Sequence, residues 1–281
     1  MNKLDSLRKI IDECDFTMKE AFVRRMDASD QIAQLKIDEG LKIYDVNREK
    51  FVINNVTAGA TKQHSKYIST LWKTILRMSR CKQYDIFIEN GTAVPLLENA
   101  LDELPVGDFC CGSAIPAINR SHYPFLGEHI PVQSEDDVYK SILSGECTYG
   151  IIKIQHINDT EKLYGKIVDY DLYVNQMILL ESGQVLVIIS KNLIIDPQNS
   201  ITTIIFHFPN RSGELAKYLA AIADRNINIA FLRLNYEENS NKNIVTVDLE
   251  GSLVEKSTLA AVLQLSDFAP FFRVIGARKA I

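Results

Sequence analysis

Apolar side chains recur at Leu4, Leu7, Ile11, Cys14 and Met18, at alternating spacings of three and four, the period of a helix with one apolar stripe. Residues 3–37 contain neither Gly nor Pro, so the pattern predicts a single helix about 50 Å long. A helix of that length outruns a small domain and needs partners along it; pairing with a second copy is the natural solution. Gly40 closes the helix, Asp45 is placed to cap a second one from Val46, and Gly59 interrupts before a third from about Ser65 to Phe87,. The segment to about residue 90 therefore reads as all-helical.

Asn90-Gly91-Thr92 ends this pattern, and residues 93–104 connect to a stretch of different character. From Val106, short β-type runs (DFCC, HIPV, TYGIIKI, LYVNQMILL, QVLVIIS) alternate with helical stretches such as Glu135–Ser144, which predicts a short α/β lobe over residues 105–195. Asp196 to Ser200 has the composition of a linker,. Beyond it the order is strand, helix, strand, strand, helix, strand, a ferredoxin-like α+β module over residues 201–281. The expected architecture is multi-domain: an all-α dimer domain at 1–90, the α/β lobe, and the C-terminal module.

Composition narrows the function. The formal net charge of −5 over 281 residues argues against nucleic acid as the main partner. The charge is uneven, however: residues 1–90 hold 16 Lys/Arg against 13 Asp/Glu, and the remainder carries −8. A basic surplus in the helical segment fits an anionic ligand there. No apolar run reaches the ~20 residues that span a bilayer, and the N-terminus lacks the apolar core of a signal peptide, so no membrane role and a cytoplasmic location are expected. Five cysteines without CxxC-type spacing predict reduced structural thiols,. His122, His129 and His156 are spaced like no metal-ligand set, so no metal is expected,.

Candidate chemistry gathers between Leu7 and Glu49. Arg25 and Lys36 are 11 residues apart, three helical turns plus about 20°, and share a face, whereas Arg8 lies about 100° away in azimuth. Ser79 and Gln83, at i and i+4, share a face of the third helix,. Asp45, Arg48 and Glu49 sit together at the start of the second.

This set resembles the all-helical class of chorismate mutase. The family's signature reads here as Leu7-Arg8, Arg24-Arg25, Ile32-Ala33-Gln34-Leu35-Lys36, Asp45-Val46-Asn47-Arg48-Glu49, and Ser79 with Gln83, covering residues 4 to about 87. The resemblance implies an intertwined homodimer that converts chorismate to prephenate, with Arg8 supplied across the interface. Arg8, Arg25 and Arg48 would bind carboxylates with Ser79 assisting, Lys36 and Gln83 would donate to the ether oxygen, and Asp45 and Glu49 would fix the ring hydroxyl and orient the cations. A unimolecular [3,3] shift needs no metal, cofactor, nucleophile or general base.

The remainder resembles the fused chorismate mutase/prephenate dehydratase with its ACT domain. Residues 134–154 and 184–190 look like dehydratase stretches, but Gly183-Gln184-Val185 stands where that family has Thr-Arg-Phe, and a second lobe is missing between Tyr173 and Ser182. The resemblance therefore implies that dehydratase activity is lost. Residues 202–281 look like an ACT module, with Asn210, Gly213, Leu215 and Asn228 as the implied contacts for an amino acid effector. Arg233-Leu234-Asn235-Tyr236 departs from the phenylalanine-sensing motif. Two alternatives remain at this point: a bifunctional mutase/dehydratase, and an amino-acid-sensing pseudoenzyme.

Overall fold

The computed structural model describes residues 2–91, 94–112, 123–157, 159–237 and 242–280, and the chain divides into two units, residues 1–92 and 93–281. In the first, side-chain caps set the helix starts. Helix α1, Lys3–Asp38, begins at Asn2, whose Oδ1 accepts from Leu4 N at 3.2 Å. Helix α2, Val46–Thr57, is capped as expected by Asp45, which accepts from Asn47 N at 3.0 Å and Arg48 N at 2.9 Å. Helix α3 spans Lys62–Glu89. It starts earlier than Ser65 because Thr61 Oγ1 accepts from His64 N at 3.3 Å, satisfying a first-turn amide.

Burial in this unit is concentrated where α3 packs on α1 and α2. In α1 only Ser29 and Ala33 are buried, small residues that let two helices approach closely. In α3 the buried set is Leu76, Ser79, Arg80, Gln83, Tyr84 and Phe87, half of it polar. The N-terminal half of α1 is different: Leu7, Ile11 and Met18 are 52%, 57% and 54% exposed. The stripe read from the sequence is present, and in a single chain it faces solvent.

The second unit is built on one sheet. Its strands are β1 (Gly107–Gly112), β2 (Leu126–Val132), β3 (Tyr149–Ile154), β4 (Tyr173–Leu179), β5 (Val185–Ser190), β6 (Ile201–Pro209), β7 (Asn228–Glu237), β8 (Lys242–Glu250) and β9 (Phe271–Arg278). Their order across the sheet is β2-β1-β3-β5-β4-β9-β6-β8-β7. Helices α4 (Glu135–Ser144) and α5 (Glu161–Asp169) belong to the lobe part, and α6 (Glu214–Ala223) and α7 (Lys256–Phe268) to the C-terminal part. The order β9-β6-β8-β7 with α6 and α7 is that of a ferredoxin-like module. Helix α5 carries no strong start signal, and its existence shows in the burial of Leu163, Tyr164 and Ile167.

The lobe and the C-terminal module share this sheet through β4 and β9, paired in parallel at Val174 and Gly276. They also share a core: Ile205 and Ile275 pack in one cluster with Leu163, Ile167 and Val174. The segment read as a linker is held rather than loose. Asn199 is 7% exposed and its Nδ2 donates to Ala277 O at 3.0 Å, so a stretch with loop composition is fixed by a side-chain bond to β9. A second cluster, on the other face of β6, β8 and β9, holds Phe206, Tyr218, Val247 and Leu265 beneath α6 and α7.

Candidate active site

The polar residues buried on α3 find their partners on α1 and α2, as buried polar groups must. Arg25 Nη1 donates to Ser79 Oγ, and the Ser79 hydroxyl in turn donates to Ile75 O at 3.0 Å. Lys36 Nζ donates to Gln83 Oε1 at 3.2 Å and to Ile43 O at 2.6 Å, and Gln83 Nε2 donates to Ser29 Oγ at 2.9 Å. The i, i+4 pair on α3 thus meets the same-face pair on α1, across 54 and 47 positions of sequence.

The start of α2 closes the cluster. Asp45 is engaged through Oδ1 as the helix cap, which fixes the first turn that carries Arg48 and Glu49. Arg48 lies over the Phe51 ring at 5.4 Å. Glu49 Oε1 accepts from Arg80 Nη1, a pair with side-chain exposures of 25% and 10%. Burial, and then the nearby Arg48 charge, lowers the pKa of Arg25 from its ordinary value. Two guanidinium groups that repel one another at a partly desolvated site form a place that an anion stabilises.

Ser29, Tyr44 and Arg80 are among the partners in this cluster that carry no mark in the sequence. Arg80 is 8% exposed and lies over the Tyr44 ring at 5.4 Å. The available signal was a cation one residue from Ser79 on a helix whose partners bury that face. Arg8 is not brought to the cluster within the chain. It is exposed, pairs with Asp5 at 3.9 Å, and lies 17 residues from Arg25 along α1, ~26 Å at the helical rise.

Residues 7–84 match the family model chorismate mutase type II. The match lies within the helical unit and spans every residue of the cluster. Within the matched residues, the bond from Lys36 to Gln83 and that from Arg25 to Ser79 join α1 to α3. Solved structures similar to the chain include one described as "GqqA, a novel type of quorum quenching acylases", with a TM-score of 0.50 and 18% identity over 62% of this chain and 95% of that one. A prephenate dehydratase from Streptococcus mutans has a TM-score of 0.47 and 13% identity over 62% and 97% of the two chains. A prephenate dehydratase in complex with L-Phe from Arthrobacter aurescens has 0.48 and 10% over 62% and 90%. At 18% identity the first of these is a likeness of fold alone. No curated protein matches the chain.

In the second unit, Gly213 caps α6 with φ 82, a left-handed conformation suited to glycine. Asn210 follows β6, and its Oδ1 accepts from Asn243 Nδ2 at 3.4 Å; Leu215 lies in the first turn of α6. Asn228 is elsewhere. It pairs with Glu250, as Ile201 does, whereas Pro209 pairs with Lys242, so Asn228 stands at the opposite end of β6 and β8, ~26 Å away. Within one chain these four residues do not converge.

Among the described residues no group of three His, Cys, Asp or Glu gathers as a metal site, and no helix is long and apolar enough to cross a membrane. His129 Nε2 is 3.0 Å from Cys111 Sγ, and His156 N donates to Asp159 Oδ2 at 3.1 Å; His122 lies outside the described residues. Burial pushes the Cys110 and Cys111 thiols up, which keeps them protonated. Gly183 sits with φ 81 in the turn from β4 to β5, and Gln184 Nε2 donates to Gln155 Oε1 at 2.9 Å.

Proposed function

We propose that the helical unit converts chorismate to prephenate in the route to phenylalanine and tyrosine. The observation that carries this reading is the Lys36–Gln83 pair, 3.2 Å apart on facing helices, beside Arg25 and Ser79 in a segment that matches chorismate mutase type II. The rearrangement is unimolecular, so the protein's part is to hold a compact conformer and to stabilise charge growing on the breaking ether oxygen. Arg25 and Arg48 bind carboxylates through their forked donors. Lys36 Nζ and the second hydrogen of Gln83 Nε2 face the ether oxygen once a ligand displaces part of the present network. Asp45 holds the α2 turn, and Glu49 accepts from the ring hydroxyl.

Arg8 enters this scheme from a second copy. The exposed apolar stripe from Leu4 to Met18 supports a dimer along α1, since burying it removes several large side chains from water. The dehydratase reaction is absent in this proposal, because glycine replaces the hydroxyl-bearing residue at position 183. The C-terminal module binds an amino acid at an interface between copies, with Asn210, Gly213 and Leu215 from one end and Asn228 from another.

The test is product analysis. Purified protein incubated with chorismate is expected to accumulate prephenate; unchanged chorismate overturns the mutase reading, and phenylpyruvate overturns the loss of dehydratase activity. Lys36→Met keeps the aliphatic stem, removes the donor, and is expected to lower kcat by ~10²- to 10³-fold with an unchanged circular dichroism spectrum. A kcat near the parent's removes Lys36 from the role assigned to it.

A further inference from the structure

Arg80 is the buried cation that the set of implied residues leaves unused. It stands between Ser79 and Gln83 on α3, its Nη1 donates to Glu49 Oε1, and its guanidinium stacks on Tyr44. Its Nε is buried without a hydrogen-bond partner. A guanidinium in such a place carries a large desolvation cost unless it is paired. An apolar side chain would pack against Tyr44 without that cost, so the arginine's contribution lies in what it does to Glu49.

A carboxylate beside a dianion site is a liability. On the mutase reading Glu49 shares its site with Arg25, Lys36 and Arg48, the cations assigned to a substrate carrying two carboxylates. Unpaired, Glu49 would repel that substrate at contact distances, the more strongly the drier the site. Paired with Arg80, its charge is cancelled and one oxygen is fixed, while Oε2 is left to accept from a ligand hydroxyl. The stacking on Tyr44 reinforces this, because Tyr44 follows Ile43, whose carbonyl is held by Lys36. The loop before α2 is braced from both sides.

We infer that Arg80 is a positioning residue that holds Glu49 and neutralises it, so that a dicarboxylate with a ring hydroxyl binds beside a carboxylate. The inference rests on the mutase reading, and it makes a distinctive demand: removing Arg80 harms binding only while Glu49 keeps its charge.

The experiment is a double-mutant cycle on the full-length chain. Arg80→Met is expected to raise KM for chorismate by about tenfold or more with a smaller effect on kcat, as expected from exposing an uncompensated charge. Arg80→Lys, which keeps the charge, restores most of the affinity. In the Arg80→Met background, Glu49→Gln brings KM back to within about threefold of the Glu49→Gln single variant. A purely structural arginine predicts additive losses in the cycle and a lowered melting temperature with no rescue, and that result overturns the inference, as does an unchanged KM in Arg80→Met. If Arg80→Met does not fold, the cycle is run with Arg80→Gln and Arg80→Lys, and the same criterion applies. If the parent chain leaves chorismate unchanged, the mutase reading fails separately, and the cycle is read in the affinity for chorismate by calorimetry: rescue by Glu49→Gln sustains the inference, and additivity or no binding overturns it.

Discussion

Replacing Gly276 by alanine tests the seam on which the second unit depends. A Cβ built at this position falls 1.9 Å from Val174 O and 2.8 Å from Val174 C, both backbone atoms that no rotamer change moves. Tolerable contact begins above 3.0 Å, so β4 and β9 must separate by about 1 Å or more, enough to break hydrogen bonds at the pairing that joins the lobe to the C-terminal module. Overpacking costs about 1 to 3 kcal/mol, and the lost hydrogen bonds about 1 kcal/mol more, giving roughly 3 kcal/mol. Gly165, inside α5 with nothing within 4 Å of its Cβ, is the control: alanine there raises helix propensity and is expected to stabilise by about 0.5 to 1 kcal/mol. Urea unfolding of the two variants, with amide hydrogen exchange at Val174 and Gly276, provides the assay. If Gly276→Ala unfolds within about 0.5 kcal/mol of the parent with its exchange protection intact, the seam is not where the argument puts it.

Arg8→Ala and Lys36→Met chains are each expected to be inactive; after subunit exchange the mixture should recover about a quarter of parental activity, because half the dimers are mixed and each has one intact site. Exchange without recovery refutes a shared pocket. Burial, and then the neighbouring Asp248 charge, pushes the Tyr164 hydroxyl up to about 12. The folded state therefore keeps this proton longer than the unfolded chain, and the associated stability is present below about pH 10 and lost as pH rises towards 12. Between about pH 9.5 and 11.5 the parent should lose about 2 kcal/mol more than Tyr164→Phe; equal losses in urea titrations would show that Tyr164 does not carry the effect.

Local pattern was enough for much of the architecture. The spacing of Leu4 to Met18, the stop at Gly40 and the cap at Asp45 gave α1 and the start of α2, and the strand–helix order after Ile201 gave the ferredoxin-like topology, because side-chain period and turn chemistry are properties of short stretches. The same arithmetic placed Arg25 with Lys36 and Ser79 with Gln83. What it did not determine is which faces meet. The contact of Lys36 with Gln83, the seating of Arg80 on Glu49 and Tyr44, and the joining of two segments through Val174 and Gly276 all link distant positions. Such pairings depend on how elements pack, and packing is decided by the burial of whole faces together rather than by any one stretch. Helix α5 shows the same limit from the other side: with no side-chain cap bond, it is held by the core that Leu163 and Ile167 enter.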